Sequence, residues 1–450
     1  MSVTAYSEYK DSGVEWIGEV PSHWAVQSIK WLTPVLRGAS PRPIDDAKYF
    51  DDDGEYAWVR IADATASNGL LQETAQKLSE LGSSLSVRLE PGALFLSIAG
   101  TVGKPCIAGI KACIHDGFVY FPKLSISPQF LFRIFEAGHC YGGLGKMGTQ
   151  LNLNTDTVGS IRVPLPPREE LTKILLFLDR ETAKIDVLVA EQERLIALLK
   201  EKRQAVISHA VTKGLNPHAP MKDSGIEWLG EVPRHWDVKP LKHGISFIES
   251  GVSVNAIDVP ATGDEIGVLK TSAVYTGQFR SEENKAIVQE ERERASCPVK
   301  AGCLIVSRMN TPDLVGAAGL VMQDAPNLFL PDRLWQVHLG ALMPTFAHLW
   351  TQSRSYRAQV QLACAGTSSS MQNLSLDEFK SFICPFPPLT EQAALAEQVA
   401  ETLMNYDNLM AEAQAAIALL QERRAALISA TVTGKIDVRR LVDRQELDAA

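Results

Sequence analysis

The sequence predicts an α+β fold in which two pseudo-symmetric globular domains are separated by two long, antiparallel, coiled-coil-like helices. Three observations support this prediction: a motif that occurs twice, a heptad pattern late in each copy, and mixed strand and helix signals before it. The predicted segments are a first domain over 1–166, a helix over 167–214, a second domain over 215–386, a helix over 387–436 and a C-terminal tail over 437–450.

The internal repeat spans about half of the chain. The opening motif, "DSGVEWIGEVPSHW" at 11–24, recurs as "DSGIEWLGEVPRHW" at 223–236 with three differences, 212 positions later. Further along, "LKEKRQAVISHAVT" at 199–212 matches "LQERRAALISATVT" at 420–433 in eight of fourteen positions, 221 positions apart. The second copy therefore holds nine additional residues, and the chain imitates a homodimer within one polypeptide.

Each copy begins with a segment of mixed character and ends in a helical run. The mixed segments contain β-rich stretches such as "YAWVRIA", "ALFLSIA", "GFVYFP" and "CLIVSR", and helical pieces such as "SPQFLFRIFEA" and "MPTFAHLWTQS". The helical runs follow "VPLPP" at 163–167 and "CPFPP" at 384–388, and proline suits the first turn of a helix. Each run carries one heptad face, which predicts that the two helices pack on each other.

Composition limits the class of protein. With 450 residues and a mean hydropathy of -0.03, the chain has enough apolar material for two or more cores. No basic-then-apolar leader and no run of about 20 apolar residues is present, so we expect a cytoplasmic protein. Seven cysteines show no metal-ligand spacing and are expected to be buried. The net charge of -9 counts slightly against nucleic acid, although a basic face can lie on an acidic protein.

The opening motif is interpreted as a structural clip that joins each domain to the helices. Ser12-x-x-Glu15 and Ser224-x-x-Glu227 match the capping-box pattern, which predicts a helix start. The tryptophans of the motif are expected to anchor it in apolar surface. His23 and His235 lie between proline and tryptophan without an acidic or cysteine partner at catalytic spacing, so we interpret both as structural.

No catalytic motif is found. The chain lacks a phosphate-binding loop, a methyltransferase cofactor turn and an Asp/Asn-Pro-Pro-aromatic tetrad. Glu283-x-Lys285 and Glu378-x-Lys380 resemble a nuclease pattern by chance, since neither has a counterpart in the other half. The sequence therefore predicts a non-enzymatic protein with no metal or cofactor of its own.

Polar loops that differ between the two copies are the candidate recognition sites. "SIAGTVGK" at 97–104 aligns with "SRMNTPDLVG" at 307–316, and both carry the hydroxyl, amide and basic groups that contact phosphates and base edges. From the residues alone, ordinary polar turns remain an equal alternative. The candidate DNA-contacting residues are Arg37, Arg42, Arg60, Ser97, Thr101, Lys104, Lys146 and Thr149 in the first half, and Lys270, Ser307, Arg308, Asn310, Thr311, Thr367 and Gln372 in the second.

Over nearly its whole length the chain resembles the specificity subunits of type I restriction-modification systems. The paired opening motifs, the "PLPPREE" and "PFPPLTEQ" helix starts and the "KEKRQAVISHAVTKG" and "QERRAALISATVTGK" helix ends carry the resemblance. It implies two target-recognition domains, each of which reads one half of a split DNA site, while the helices set the unread spacer. It also implies that this subunit performs no catalysis.

The resemblance further implies the partners. Two modification subunits that use S-adenosylmethionine would dock on the helices and methylate adenine by base flipping, and restriction subunits would cleave DNA using ATP and Mg. The helix residues expected to take part in docking are Leu178, Ile185, Leu199, Leu403, Met410 and Leu420. The competing hypothesis is a non-enzymatic coiled-coil adaptor whose two heads bind proteins; it does not explain duplicated heads with divergent polar loops.

Overall fold

The computed structural model describes residues 5–364 and 371–442, apart from 143, 145, 148, 149 and 152. It divides into two compact units, one formed by Met1–Gln192 with Ala415–Ala450 and the other by Glu193–Gln414. Each unit combines one globular domain with the start of one long helix and the end of the other. The compact units therefore differ from the segments predicted along the chain, because both helices contribute to both units.

The two long helices have the start and stop signals that the sequence contains. The first long helix is Arg168–Lys213, with 46 residues, and the second is Leu389–Val432, with 44 residues. At about 1.5 Å per residue, each is on the order of 65–70 Å long. Gly214 and Gly434 follow the helix ends with φ of +74° and +73°, a left-handed conformation that favours glycine.

The first domain contains two main sheets and several short pairs of strands. The five-stranded sheet has the order Leu36–Arg37, Phe118–Tyr120, Leu94–Ser97, Pro105–Ala108, Leu70–Leu71, and the four-stranded sheet has the order Lys77–Leu78, Tyr56–Val59, Ala112–Ile114, Val87–Leu89. The two-stranded pairs are Tyr9–Asp11 with Glu19–Pro21, Ala25–Ser28 with Arg162–Leu165, and Lys146–Met147 with Gln150–Leu151. The helices of this domain are Ile61–Ala66, Glu80–Ser84, Pro128–Ala137 and Thr155–Ser160.

The second domain repeats this plan. Its four-stranded sheet has the order Ile245–Ser250, Leu334–Leu339, Leu304–Ser307, Ala318–Leu320, and its five-stranded sheet has the order Ala256–Ile257, Asn284–Ile287, Gly267–Leu269, Ala325–Phe329, Pro298–Val299. The two-stranded pairs are Met221–Asp223 with Glu231–Pro233, Asp237–Pro240 with Ile383–Phe386, and Met309–Asn310 with Gln372–Asn373. The helices are Pro344–Thr351, Arg354–Ala363 and Leu376–Ser381.

The two domains share one topology. The five-stranded sheet of the first domain corresponds to the four-stranded sheet of the second, with four strands in the same order and one additional edge strand, Leu70–Leu71. The four-stranded sheet of the first domain corresponds to the five-stranded sheet of the second, whose additional edge strand is Ala256–Ile257. The single parallel neighbours of the second sheet also correspond, Tyr56–Val59 with Ala112–Ile114 and Gly267–Leu269 with Ala325–Phe329. The predicted α+β fold with an internal repeat is confirmed.

The main core of each unit joins the domain to both long helices. In the first unit, Trp24 and Phe130 of the domain belong to the same buried cluster as Leu178 and Ile428 of the two helices. In the second unit, Trp236 shares a cluster with Val211 and Leu395. Because the start of one helix meets the end of the other in each cluster, the two helices run antiparallel within each unit, as predicted.

The opening motif is a hairpin with a tight turn, so the predicted capping box is wrong. Tyr9–Asp11 pairs with Glu19–Pro21, and the N–H of Ser12 donates to the carbonyl of Gly18 over 3.0 Å. The Ser12 Oγ accepts from the N–H of Val14 at 3.1 Å, two residues on, as in a turn. Because the residues on either side of the turn pair as strands, no helix begins at Ser12, and the serine and the glutamate have no helix terminus to cap.

In the first unit, the opening motif holds the start of one long helix and the end of the other. Glu170, in the first turn of the first long helix, accepts from Trp24 Nε1 at 2.8 Å and contacts His23 Nε2 at 2.7 Å. Lys435, just after the second long helix, donates to the carbonyl of Glu19 at 2.6 Å. His23 therefore has an acidic partner that is distant in sequence, and its structural role stays a prediction.

The second unit makes the same contacts with the helices exchanged. Glu391 of the second long helix accepts from Trp236 Nε1 at 3.0 Å and contacts His235 Nε2 at 2.7 Å. Lys213, at the end of the first long helix, donates to the carbonyl of Glu231. Glu170 and Glu391 are 221 positions apart, the offset of the repeat. The motif occurs twice because each unit needs one such clip.

A pair of equivalent ion pairs joins the helices. Arg424 Nε lies 2.7 Å from Asp186 in the first unit, and Arg203 Nε lies 3.2 Å from Asp407 in the second. Both arginines and both aspartates are 221 positions apart. The arginine belongs to the second long helix in one pair and to the first long helix in the other. A twofold-symmetric dimer interface shows the same pattern.

Candidate nucleic-acid interface

The first candidate loop joins the strands Leu94–Ser97 and Pro105–Ala108. Ser97 is only 1% exposed, because its Oγ donates to the carbonyl of Thr101 and accepts from the N–H of Lys104. Thr101 is exposed and accepts from the Thr65 Oγ at 3.2 Å, and Lys104 is partly exposed. Of the three residues predicted here, Ser97 shapes the loop, while Thr101 and Lys104 are available to a ligand.

The second candidate loop follows the strand Leu304–Ser307 and is three residues longer. Ser307 is fully buried, and Asn310 is buried with its Nδ2 donating to the Tyr275 hydroxyl at 2.8 Å. The Asn310 Oδ1 accepts from the N–H of Thr311 at 2.9 Å. Ser307 and Asn310 thus organise the loop, whereas Thr311 is exposed and Arg308 is partly exposed.

The same kind of hydrogen bond, from a tyrosine hydroxyl to a glycine carbonyl, holds the base of both loops. The Tyr141 hydroxyl donates to the carbonyl of Gly103 at 3.1 Å, and the Tyr356 hydroxyl donates to the carbonyl of Gly316 at 2.7 Å. Burial raises the pKa of both phenols well above the ordinary value of 10.0, so both remain donors at neutral pH. The glycines have φ of +83° and +76°. Two loops with different tips therefore stand on one conserved base.

Arg60 and Lys270 occupy equivalent positions in the two domains. Arg60 precedes the helix Ile61–Ala66, and Lys270 precedes the helical turn Thr271–Val274, each directly after equivalent strands. Arg60 Nε lies 3.4 Å from Asp63, and Lys270 Nζ lies 3.5 Å from Asp258. Each cation is thus partly neutralised by one carboxylate.

Arg37 and Arg42 both contact Asp116. Arg37 Nε donates to the Asp116 carbonyl, and Arg42 lies 3.2 Å from the Asp116 carboxylate with its own side chain 78% exposed. A solvent-exposed ion pair such as that of Arg42 is worth little, so this guanidinium can exchange its carboxylate for a phosphate at small cost.

The remaining predicted DNA contacts fall on short strands or outside the described residues. Lys146 lies on the strand Lys146–Met147, which pairs with Gln150–Leu151. Gln372 pairs with Asn310, so two residues predicted from different loops are neighbours. Thr149 and Thr367 lie outside the described residues.

The helix residues expected to dock partners are largely buried inside the chain. Leu178, Ile185, Leu199 and Leu403 are 0%, 6%, 6% and 7% exposed. The heptad face that was predicted to hold the helices together does so, and its side chains leave little surface for another protein. This burial is at odds with a docking role for these four residues; Met410 and Leu420 are partly exposed.

A second set of apolar helix residues is exposed instead. Leu188 and Leu198 of the first long helix are 44% and 46% exposed, and Leu409 and Leu419 of the second are 45% and 66% exposed. Leu188 corresponds to Leu409, and Leu198 to Leu419, because both pairs are 221 positions apart. The heptad pattern did not indicate the exposure of these leucines, the contacts of Glu170 and Glu391 or the arginine–aspartate pairs. Comparison of the two copies at the offset of 221 would have shown that these residues are equivalent.

The structure also shows where the possible metal ligands and the cysteines lie and how apolar the helices are. Within the described ranges, no group of three or more His, Cys, Asp or Glu residues is placed to hold a metal ion. All seven cysteines are buried, and burial raises the pKa of Cys113 to about 11. None of the helices described here has the length and apolar character that a membrane span requires.

Each unit contains one copy of the same domain joined to both long helices, and the two copies differ in their polar loops. Residues 21–196 match the family model described as Type I restriction modification DNA specificity domain. The chain is 22% identical to the EcoKI specificity subunit of Escherichia coli over 93% of this chain and 90% of that protein. It is 24% identical to the MjaVIII specificity subunit of Methanocaldococcus jannaschii, over 94% and 95% of the two chains.

A solved structure has the same fold. It is described as "Structural basis underlying complex assembly and conformational transition of the type I R-M system", and its matching chain has a TM-score of 0.68 at 12% identity, with 93% of this chain and 99% of that chain covered. The chain is accordingly similar over nearly its whole length to type I restriction enzyme specificity subunits, and residues 21–196 match the DNA specificity domain of that family.

Proposed function

We propose that each domain reads one half of a bipartite DNA site and that the two long helices set the spacer between the halves. The observation that carries this proposal is the duplication of the clip and of the loop base, on which two loops of different length and sequence stand. A frame that is kept while its tips vary suits one mode of binding applied to two base sequences.

The proposed DNA contacts are the candidate residues whose side chains are exposed or partly exposed. In the first domain they are Thr101, Lys104, Arg37, Arg42 and Arg60. In the second domain they are Lys270, Arg308 and Thr311, with Gln372 on the adjacent strand. Exposed cations that exchange a carboxylate for a phosphate supply affinity, and the loop side chains supply discrimination between bases.

The proposed partners are those that the similarity to type I specificity subunits implies. Two methyltransferase subunits would bind the helices, bring S-adenosylmethionine and methylate adenine; restriction subunits would bring ATP and Mg. We propose that docking uses the exposed leucines rather than the buried heptad face. Leu188 and Leu419 lie in the first unit, and Leu198 and Leu409 lie in the second, so each unit offers the same pair to one copy of the partner.

Methylation mapping tests the proposed recognition. DNA from cells that express this chain with its companion methyltransferase is sequenced at single-molecule level beside DNA from cells that lack this chain. We expect a bipartite adenine-methylated motif that disappears without the chain. Exchange of residues 82–152 for the segment of another family member should change one half-site only; a change in both would overturn the two-reader proposal.

Docking is tested by co-purification with the methyltransferase. Leu188→Glu combined with Leu409→Glu should abolish co-purification, because both exposed patches lose apolar surface and gain charge. Met322→Glu is the matched control, since Met322 is 73% exposed on the second domain rather than on a helix. Retained co-purification of the double variant would place the partner elsewhere.

A further inference from the structure

Arg308 is held in a fixed position at the base of the second candidate loop. It directly follows the fully buried Ser307 at the end of a central strand. Its N–H donates to the carbonyl of Arg333 at 3.1 Å, and its carbonyl accepts from the N–H of Leu374 at 2.8 Å. Both backbone groups are therefore bound, and the side chain starts from a rigid point.

The guanidinium of Arg308 has no acceptor among the described residues. Its Nε is buried without a hydrogen-bond partner, and no carboxylate lies within ion-pair distance in the described part of the chain. Its Cζ lies 6.0 Å from the centre of the Trp335 ring, and that tryptophan is 4% exposed. By contrast, Arg357 of the same unit donates to the carbonyls of Val315 and Pro312. Arg308 thus combines a buried Nε that lacks an acceptor with a side chain that is partly exposed to solvent.

Arg308 lines an open cleft of about 280 Å³. Trp335, Ser250, Asn373 and Ser375 also line it. Glu249 borders the same cleft, but its carboxylate is bound by His338 Nε2 at 2.6 Å and by Gln336 Nε2 at 3.1 Å. Glu249 is the one carboxylate among the described residues that line the cleft, and its Oε1 is already shared by these donors, while the cleft presents a planar cation. An acceptor with two adjacent lone pairs fits such a fork, as in guanine O6 and N7 or in a phosphate.

The comparison of the two domains favours guanine over phosphate. Ser97 and Ser307 are equivalent, so the residue aligned with Arg308 is Ile98 in the first domain. Phosphates are the same in every DNA sequence, so the same cation can serve in both copies, as Arg60 and Lys270 do at equivalent positions. A residue that changes from arginine to isoleucine between the copies behaves as a base-reading residue does.

We propose that Arg308 reads one guanine of the half-site bound by the second domain, with a bidentate contact to O6 and N7 in the major groove. This inference rests on the proposed function, since it requires the second domain to read a half-site. It assigns the discrimination at one base pair to one side chain, and it predicts that the first half-site is independent of that side chain.

The test uses the complete methyltransferase complex and the motif mapped for the wild-type chain. Duplexes carry each guanine of the second half-site replaced in turn by adenine or by 7-deazaguanine, which lacks the N7 acceptor. At one position, the wild type should lose methylation rate roughly 5- to 150-fold on replacement by adenine. Arg308→Ala should methylate the guanine and adenine duplexes equally at that position and keep full discrimination in the first half-site.

A comparison of Arg308→Lys with Arg308→Ala distinguishes a base contact from a phosphate contact. Arg308→Lys keeps the charge but loses the fork, so it should lose discrimination against 7-deazaguanine if a base is read. If a phosphate is bound, Arg308→Ala should instead weaken methylation of all duplexes alike and leave the motif unchanged, which overturns the inference. Arg294→Ala, an exposed arginine of the same unit, is the control and should behave as the wild type.

The inference and the proposed function fail in different ways. Without a bipartite motif for the wild type, the proposed function is wrong. With a bipartite motif, a second half-site that lacks guanine, or full discrimination retained by Arg308→Ala, overturns the role of Arg308 alone. First-half-site discrimination and the midpoint of thermal unfolding show that each variant is folded.

Discussion

Replacement of Glu170 by alanine tests whether the clip between the opening motif and the helices stabilises the first unit. The Glu170 carboxylate accepts from Trp24 Nε1 at 2.8 Å and from the Tyr6 hydroxyl at 3.2 Å, and it contacts His23 at 2.7 Å. Trp24 and Tyr6 are 0% and 5% exposed, so water cannot replace the lost acceptor. Two buried donors would then be unsatisfied.

The cost can be worked out from these donors. Each unsatisfied buried donor costs roughly 1–3 kcal/mol, so the loss of two partners in Glu170→Ala should lower the free energy of unfolding by roughly 2–6 kcal/mol. Glu391→Ala is the matched comparison in the second unit. It leaves one buried donor, Trp236, because the His235 side chain is 50% exposed and can bind water. Its expected cost is therefore smaller, roughly 1–3 kcal/mol.

The assay is native-state hydrogen exchange along a urea series, which reports each unit separately in a chain that need not unfold in one step. Peptides from residues 5–24 should lose protection in Glu170→Ala, and peptides from residues 217–236 should lose it in Glu391→Ala. Glu170→Gln, which keeps one acceptor oxygen, should fall between wild type and alanine. Equal costs in the two units, or a cost of Glu170→Ala below about 0.5 kcal/mol, would refute the reasoning.

Three further predictions concern the same framework. Gly434→Ala should destabilise the first unit by roughly 3 kcal/mol, because φ is +73° and a Cβ would lie 2.4 Å from Pro21 Cδ; Gly214→Ala, whose nearest atom would be 3.2 Å away, should cost about half as much in thermal unfolding. Arg424→Ala should cost roughly 1–2 kcal/mol at low salt and less at high salt in urea titrations, since Arg424 binds both Asp186 and Glu136; an unchanged cost in salt would contradict this. Arg439 hydrogen bonds lower the pKa of Asp437 below its ordinary value of 3.8, so the carboxylate stabilises the fold above that pH, and the contribution is lost as the pH falls through the folded pKa. Asp437→Asn should therefore be less stable than wild type by roughly 0.5–1 kcal/mol at neutral pH, and the two unfolding curves should converge in acid.

The candidate site was only partly accessible from the sequence. Residue type marked Ser97, Ser307 and Asn310 as polar loop residues, and the structure turns all three inward, where their hydrogen bonds build the loop. A hydroxyl or an amide serves a loop and a ligand equally well, so its type does not reveal its direction. Arg308 was predicted as a DNA contact, but the absence of an acceptor around it within the described residues is a property of the fold.

The sequence by itself determined the repeat and the two long helices and carried the family resemblance, because these depend on local order: heptad spacing, proline at helix starts, glycine at helix ends and near-identical motifs. It did not determine how the copies are joined. The contacts of Glu170 with Trp24 and of Arg203 with Asp407 join residues 146 and 204 positions apart. The tertiary structure decided these contacts and left Leu188 and Leu409 exposed, because burial depends on which helix faces meet, and no local pattern specifies that.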